Sequence, residues 1–278
     1  MRTNSICSSE GVKPGNEART RWRRGSGVRE PVVLLYLHGF TASPGEAGDL
    51  PEQMADALGA NLHVHRWPGH GKTAADAMRG LTLGRLKASA EEALARACAM
   101  GESVAIVGSS LGATLGLWLA ATRPDDVAAV VAWSPGVQAA DPALLDQFCL
   151  AQETLVDPRP RSAASQAYWS EAVHPDGFRA LREMFRANAE APPWPQVRCP
   201  VCLGYYYPAA PTARKIGRPP YPPCWPCSRR SGHRRAANAR RRSPPVRTSS
   251  VHRTRRHSRA PWHKPPRIFC KKSCPAGL

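Results

Sequence analysis

Gly108-Ser109-Ser110-Leu111-Gly112 follows the pattern Gly-x-Ser-x-Gly, between an apolar run at 103–107 and a small-residue stretch at 111–122. A serine on a sharp strand-to-helix turn projects its hydroxyl from the sheet, the placement an acyl-transfer nucleophile needs. Gly108 and Gly112 lack Cβ, so neighbouring backbone can approach closely. Leu111 opens the helix, and its N–H has no intrahelical partner, so it is available to bind an oxyanion. A second donor is expected from Leu37-His38-Gly39-Phe40-Thr41, with the Phe40 N–H turned toward Ser110. His38 reads as a brace of that loop rather than a base. His70, in Trp67-Pro68-Gly69-His70-Gly71, reads as structural.

The elements that must hold these residues alternate between strand and helix. The run 31–37 (Pro-Val-Val-Leu-Leu-Tyr-Leu) is apolar without interruption, as is 103–107, which suits strands covered on both faces. Further strands are expected at 61–65, 127–133 and 200–207, and helices at 45–59, 83–100 and 111–122. This rhythm predicts an α/β fold with a mostly parallel sheet and helices on both faces. Residues 138–195 break the rhythm with helical stretches at 144–152 and 177–189 and no strand, which reads as a helical cap inserted over the strand ends. Residues 1–30 read as a flexible, arginine-bearing leader.

The chain has 278 residues and a formal charge of +18, but the charge is not spread evenly. Residues 208–278 hold 15 Arg and 4 Lys with no Asp or Glu, whereas the first 207 residues hold 20 Lys and Arg against 21 Asp and Glu. That last quarter also carries 13 of the 28 prolines, and its Val, Ile, Leu, Met and Phe together number only six. So little apolar surface cannot offset chain entropy, and the sequence predicts a basic, Pro/Arg-rich disordered tail. No run of 18 apolar residues is present, so no membrane span is expected. The first 30 residues show no apolar signal core, which reads as cytoplasmic, and the nine cysteines then read as reduced thiols. No cofactor is expected. The sequence does not indicate an oligomeric state.

The loops at 38–40 (His-Gly-Phe) and 68–71 (Pro-Gly-His-Gly), followed by the elbow at 108–112, resemble the α/β-hydrolase superfamily, in its esterase and monoacylglycerol-lipase branch. The resemblance covers about residues 31–207. It implies a serine hydrolase of carboxylic esters, with Ser110 as nucleophile, the Phe40 and Leu111 amides as oxyanion hole, and a small-molecule ester as substrate. It also implies an acid after a later strand, a histidine near the C-terminus and a substrate lid at 138–195.

The end of the chain departs from that pattern. No acidic residue follows Glu190, and His233, His252, His257 and His263 sit in Arg/Pro-rich surroundings. A base must stand within hydrogen-bond reach of its nucleophile, which no strand here provides. Read one frame over, codons compatible with 214–227 allow Gln-Asp followed by an amphipathic helix. Those compatible with 245–253 allow Gly-Ala-His-Val-Ile. The expected explanation is a frame shift between Tyr207 and Lys215, so that the encoded chain is inactive for want of its triad acid and base. Asp141 is a variant candidate for the acid. The competing reading is a basic nucleic-acid- or zinc-binding module on a hydrolase-like scaffold, using the arginine clusters or Cys199, Cys202, Cys224 and Cys227. Aromatic partners for bases are few in the tail, so no specific nucleic acid is expected.

Overall fold

The computed structural model describes residues 11–205. The expected tail at 208–278, its frame shift, its four histidines and Cys224 and Cys227 all lie outside the described residues.

In chain order the elements are β1 (Arg19–Arg21), β2 (Glu30–Leu37), α1 (Leu50–Leu58), β3 (Asn61–Val64), α2 (Leu83–Met100), β4 (Gly101–Ser109), α3 (Leu111–Thr122) and β5 (Val127–Trp133). There follow α4 (Pro142–Leu150), β6 (Leu155–Val156), α5 (Ala163–Tyr168), β7 (Ala172–Val173), α6 (Pro175–Glu190) and β8 (Val201–Gly204). Short 3-10 turns lie at Pro44–Ala47 and Trp194–Gln196. The main sheet runs β1-β3-β2-β4-β5-β8, and β2, β3, β4, β5 and β8 pair in parallel.

The uninterrupted apolarity of β2 has a direct cause. Val33, Leu35 and Leu37 enter the core formed with α2 and α3, while Leu34 and Tyr36 enter a second core with Ala55 of α1, Leu62 and Val64. Side chains alternate across a strand, so a strand covered on both faces has no polar positions to spare. Each leucine so enclosed contributes roughly 1.5–3 kcal/mol of transfer free energy. Helix α2 buries Leu83, Leu86, Ala90, Ala93, Leu94 and Ala97 at three- and four-residue spacing, and Thr82 caps its start by accepting from the Arg85 N–H.

Two expectations about organisation are corrected. Residues 11–30 are not a loose leader. Strand β1 pairs antiparallel with β3, Arg19 bonds Glu52 at 2.7 Å, Arg21 bonds Asp56 at 2.6 Å, and Arg24 holds the buried Glu30 at 2.7 Å. Arg19 and Arg21 looked solvated because their partners lie far along the chain. The cap also contains strands. Leu155–Val156 and Ala172–Val173 form a two-residue antiparallel ribbon, and the additional helix α5 lies between them. Both strands are too short to leave a period-two signal.

Candidate active site

Ser110 sits between the end of β4 and the start of α3 with φ 48° and ψ −112°. A non-glycine residue in that region is strained, and the surroundings hold it there. Its N–H donates to the Trp133 carbonyl at 2.9 Å, and its carbonyl accepts from the N–H groups of Thr114 (3.0 Å) and Gly136 (3.2 Å) and from the Thr114 hydroxyl (3.1 Å). The same hydroxyl lies 2.9 Å from the Gly136 carbonyl. With both main-chain polar groups engaged, the turn cannot relax without losing several hydrogen bonds.

The two pentad glycines are required by close packing. A Cβ on Gly108 would stand 2.5 Å from the Ala113 nitrogen, and one on Gly112 would run into the Leu37 carbonyl and stand 2.6 Å from that of His38. Real Cβ atoms do not approach backbone so closely, so Gly112→Ala must push β2 and α3 apart. We expect it to cost about 3 kcal/mol or more, read as a lowered denaturant midpoint. A midpoint equal to the parent's would contradict this packing.

The 38–41 loop lies directly against the elbow. A Cβ on Gly39 would be 3.5 Å from the Ser110 Cβ and 3.7 Å from the Ser109 carbonyl. His38 is fully buried and braces this loop. Its Nε2 accepts from the Trp67 N–H at 3.1 Å, so the proton is on Nδ1, which donates to the Gly39 carbonyl at 2.9 Å. The Trp67 indole returns a bond to the His38 carbonyl at 2.8 Å. Because the Gly39–Phe40 peptide is planar and trans, fixing the Gly39 carbonyl points the Phe40 N–H away from His38. Burial and the neighbouring His70 hold His38 well below the ordinary imidazole range, so it is neutral. His70 is likewise buried, bonds the Pro68 carbonyl through Nδ1 at 2.9 Å and packs on His38 and Phe40.

Leu111, buried, is the first residue of α3, so its N–H points from a helix N-terminus beside Ser110. Thr41 and Ser134 also have positive φ, at 62° and 43°. With Ser110 they follow β2, β4 and β5 at the carboxyl ends of neighbouring parallel strands, where open α/β sheets bind ligands. The cap reaches this end. Phe178 of α6 packs 5.7 Å from Phe40 and 4.9 Å from Phe148 of α4, and a Cβ on Gly136 would meet both the Ser110 Oγ (3.6 Å) and Phe185 (3.8 Å). These rings give the Ser110 surroundings an apolar wall. A separate cleft of about 220 Å³ is lined by Arg66, Lys72, Arg79 and Arg85, and none of Phe40, Ser110 or Leu111 borders it.

Not every candidate joins Ser110. The Asp141 carboxylate caps α4, accepting from the Leu144 N–H at 3.0 Å, and is exposed. Cys199 and Cys202 lie at the entrance to β8 and within it, and burial raises the Cys199 thiol. One residue was missed. Glu46, in the 3-10 turn after the 38–41 loop, accepts from the Gly39 N–H at 2.8 Å. An acidic residue in a Gly/Pro-rich turn carries no sequence signal of that contact.

A family model described as alpha/beta hydrolase fold matches residues 32–189. A thermostable monoacylglycerol lipase of Bacillus sp. (strain H-257) is 36% identical over 95 residues, a segment spanning 34% of this chain and only 37% of that lipase. A solved structure from work on LipS and LipT, two metagenome-derived lipolytic enzymes, superposes with a TM-score of 0.60 at 22% identity, covering 70% of this chain and 77% of that one. The family match runs from the strand before the 38–41 loop, through the Ser110 elbow, to the last cap helix and takes in more than half of the sequence, so this chain belongs to the alpha/beta hydrolase family.

Proposed function

We propose that the chain carries a carboxylic ester hydrolase site with Ser110 as nucleophile and the Phe40 and Leu111 main-chain N–H groups as oxyanion donors. The observation that carries this reading is the strained Ser110 backbone at the strand–helix turn, packed against Gly39. In the reaction the Ser110 Oγ attacks the ester carbonyl as a base accepts its proton. The carbonyl oxygen becomes an oxyanion held by the two amides. The alcohol leaves with a proton, and water then releases the acid from the acyl-serine. The phenyl rings of Phe40, Phe148, Phe178 and Phe185 favour an apolar acyl chain of short or medium length. The Bacillus relative's name, monoacylglycerol lipase, agrees with this substrate class.

Among the described residues no imidazole hydrogen-bonds the Ser110 hydroxyl, and no acidic residue follows Glu190. We therefore propose that a frame shift between Tyr207 and Lys215 removes the triad acid and base, and we expect the encoded chain to hydrolyse esters little or not at all. The nucleotide sequence over codons 205–220 tests the shift directly.

The nucleophile is tested by prolonged exposure to a fluorophosphonate followed by peptide mass spectrometry. Slow modification at Ser110, absent in Ser110→Ala, is expected, because the amides still favour the tetrahedral adduct without the base. Modification at Ser109 instead, or none at either serine, would remove Ser110 from the role.

A further inference from the structure

Three side chains hold the 38–41 loop: His38 from within it, and Trp67 and Glu46 from outside. The acidic one is Glu46. Its Oε1 accepts from the Gly39 N–H at 2.8 Å and from the Tyr36 hydroxyl at 3.0 Å. A Cβ built on Gly39 would lie 3.5 Å from the Glu46 Oε2 and 3.5 Å from the Ser110 Cβ. The carboxyl and the serine therefore flank one glycine, at most twice that distance apart. No other carboxylate hydrogen-bonds this loop among the described residues.

We infer that Glu46 is a positioning residue that locks the 38–41 loop for oxyanion binding, an inference that rests on the Ser110 reading above. Two successive peptide planes are involved. Glu46 pins the His38–Gly39 peptide by its N–H, and His38 pins the Gly39–Phe40 peptide by its carbonyl. A flip that turned the Phe40 N–H away from its working direction would have to break the His38 bond and twist a neighbour held by Glu46. The Trp67 indole also holds the His38–Gly39 peptide, by the His38 carbonyl at 2.8 Å, so Glu46 adds a second restraint to that plane while His38 restrains the next. Glycine at 39 lacks a Cβ to restrict that rotation, so the restraint has to come from hydrogen bonds to other residues' side chains.

Glu46 is suited to the task because a carboxylate acceptor makes stronger bonds than a neutral one. The groups facing it are few. Tyr36 comes from β2 and Gly39 from the loop. Arg19 of β1 acts on Tyr36 but is itself bonded to Glu52 at 2.7 Å. From α5 the uncharged ring of Tyr168 lies against Gly45. Burial raises the Glu46 carboxyl above the ordinary carboxylate range, while the Gly39 and Tyr36 bonds partly oppose it. Protonation therefore loosens the clamp at a higher pH than an exposed glutamate would.

The test uses the full chain and the Gly39 amide. By NMR, the Gly39 proton resonance of the parent is expected to shift with pH, with a midpoint above the usual carboxylate range. Glu46→Gln keeps the shape and one acceptor oxygen, so it should fold, yet lose that titration. Amide exchange at 39–41 should then speed up roughly tenfold, with the exchange of β4 unchanged. A Gly39 resonance that titrates identically in Glu46→Gln, or unchanged exchange at 39–41, would overturn the inference. Fluorophosphonate modification of Ser110 is followed on the same samples. Its absence from the parent beside an intact Gly39 titration would defeat the nucleophile reading and leave the clamp standing.

Discussion

Restoring the reading frame from Tyr207 onward is expected to raise p-nitrophenyl ester hydrolysis on the order of 10⁴-fold or more over the encoded chain. The size follows from what a missing base removes. On the proposed mechanism, a Ser110 hydroxyl without an acceptor for its proton would leave the oxyanion donors and binding surface only residual catalysis. Among the described residues the elbow is strained, the 38–41 loop is braced and Phe178 of the cap packs on Phe40. Frame restoration is expected to add the acid and base to that scaffold. Introducing Ser110→Ala into the restored chain should return the rate to the background. Equal activity of the encoded and restored chains would refute the idea that the base is missing.

Acidification from pH 7 to pH 4 is expected to destabilise the protein markedly, with the loss falling below about pH 6.5. His63 and His70 are buried, and each has an Nε2 with no hydrogen-bond partner among the described residues. Burial pushes both down to about 4, with Arg96 near His63 and Arg66 near His70 opposing the charged forms as well. The folded state therefore keeps these imidazoles neutral while the unfolded chain takes up protons near the ordinary histidine value. A group with a depressed cationic pKa contributes its full stability above the unfolded value, and loses it as pH falls toward the folded one. The window is thus from about 6.5 to about 4, and each histidine accounts for on the order of 3 kcal/mol across it. His38 and His65 are shifted the same way by burial. Losses of this size approach the whole stability of an ordinary domain. Urea unfolding followed by circular dichroism between pH 4 and 8 reads the effect. A midpoint that stays level between pH 7 and pH 5 would show that these imidazoles are not held neutral.

The parts of the fold that were readable before any coordinates share a property. Helices α2 and α3 and strand β5 fall at the residues expected, and β2 and β4 differ from expectation only at their ends. Each is encoded by its own neighbours, through an apolar run or a three-four repeat. The elbow is local in the same sense, since the two glycines and the serine occupy one turn. Strand β1 failed that test because its arginines become structural only beside Glu52 and Asp56, which α1 brings from more than thirty residues away. The cap ribbon failed because two residues cannot show a period.

The sequence alone determined an α/β chain carrying a serine on a glycine-flanked turn, because steric demands within five residues leave few other conformations. Tertiary structure decided which groups hold the surroundings of that serine. It gave His38 its proton position through Trp67 and set Glu46 against Gly39. Those outcomes depend on hydrogen bonds between segments that meet only when the sheet assembles. No pattern of neighbouring residue types can announce a contact whose two halves are placed by different strands and turns.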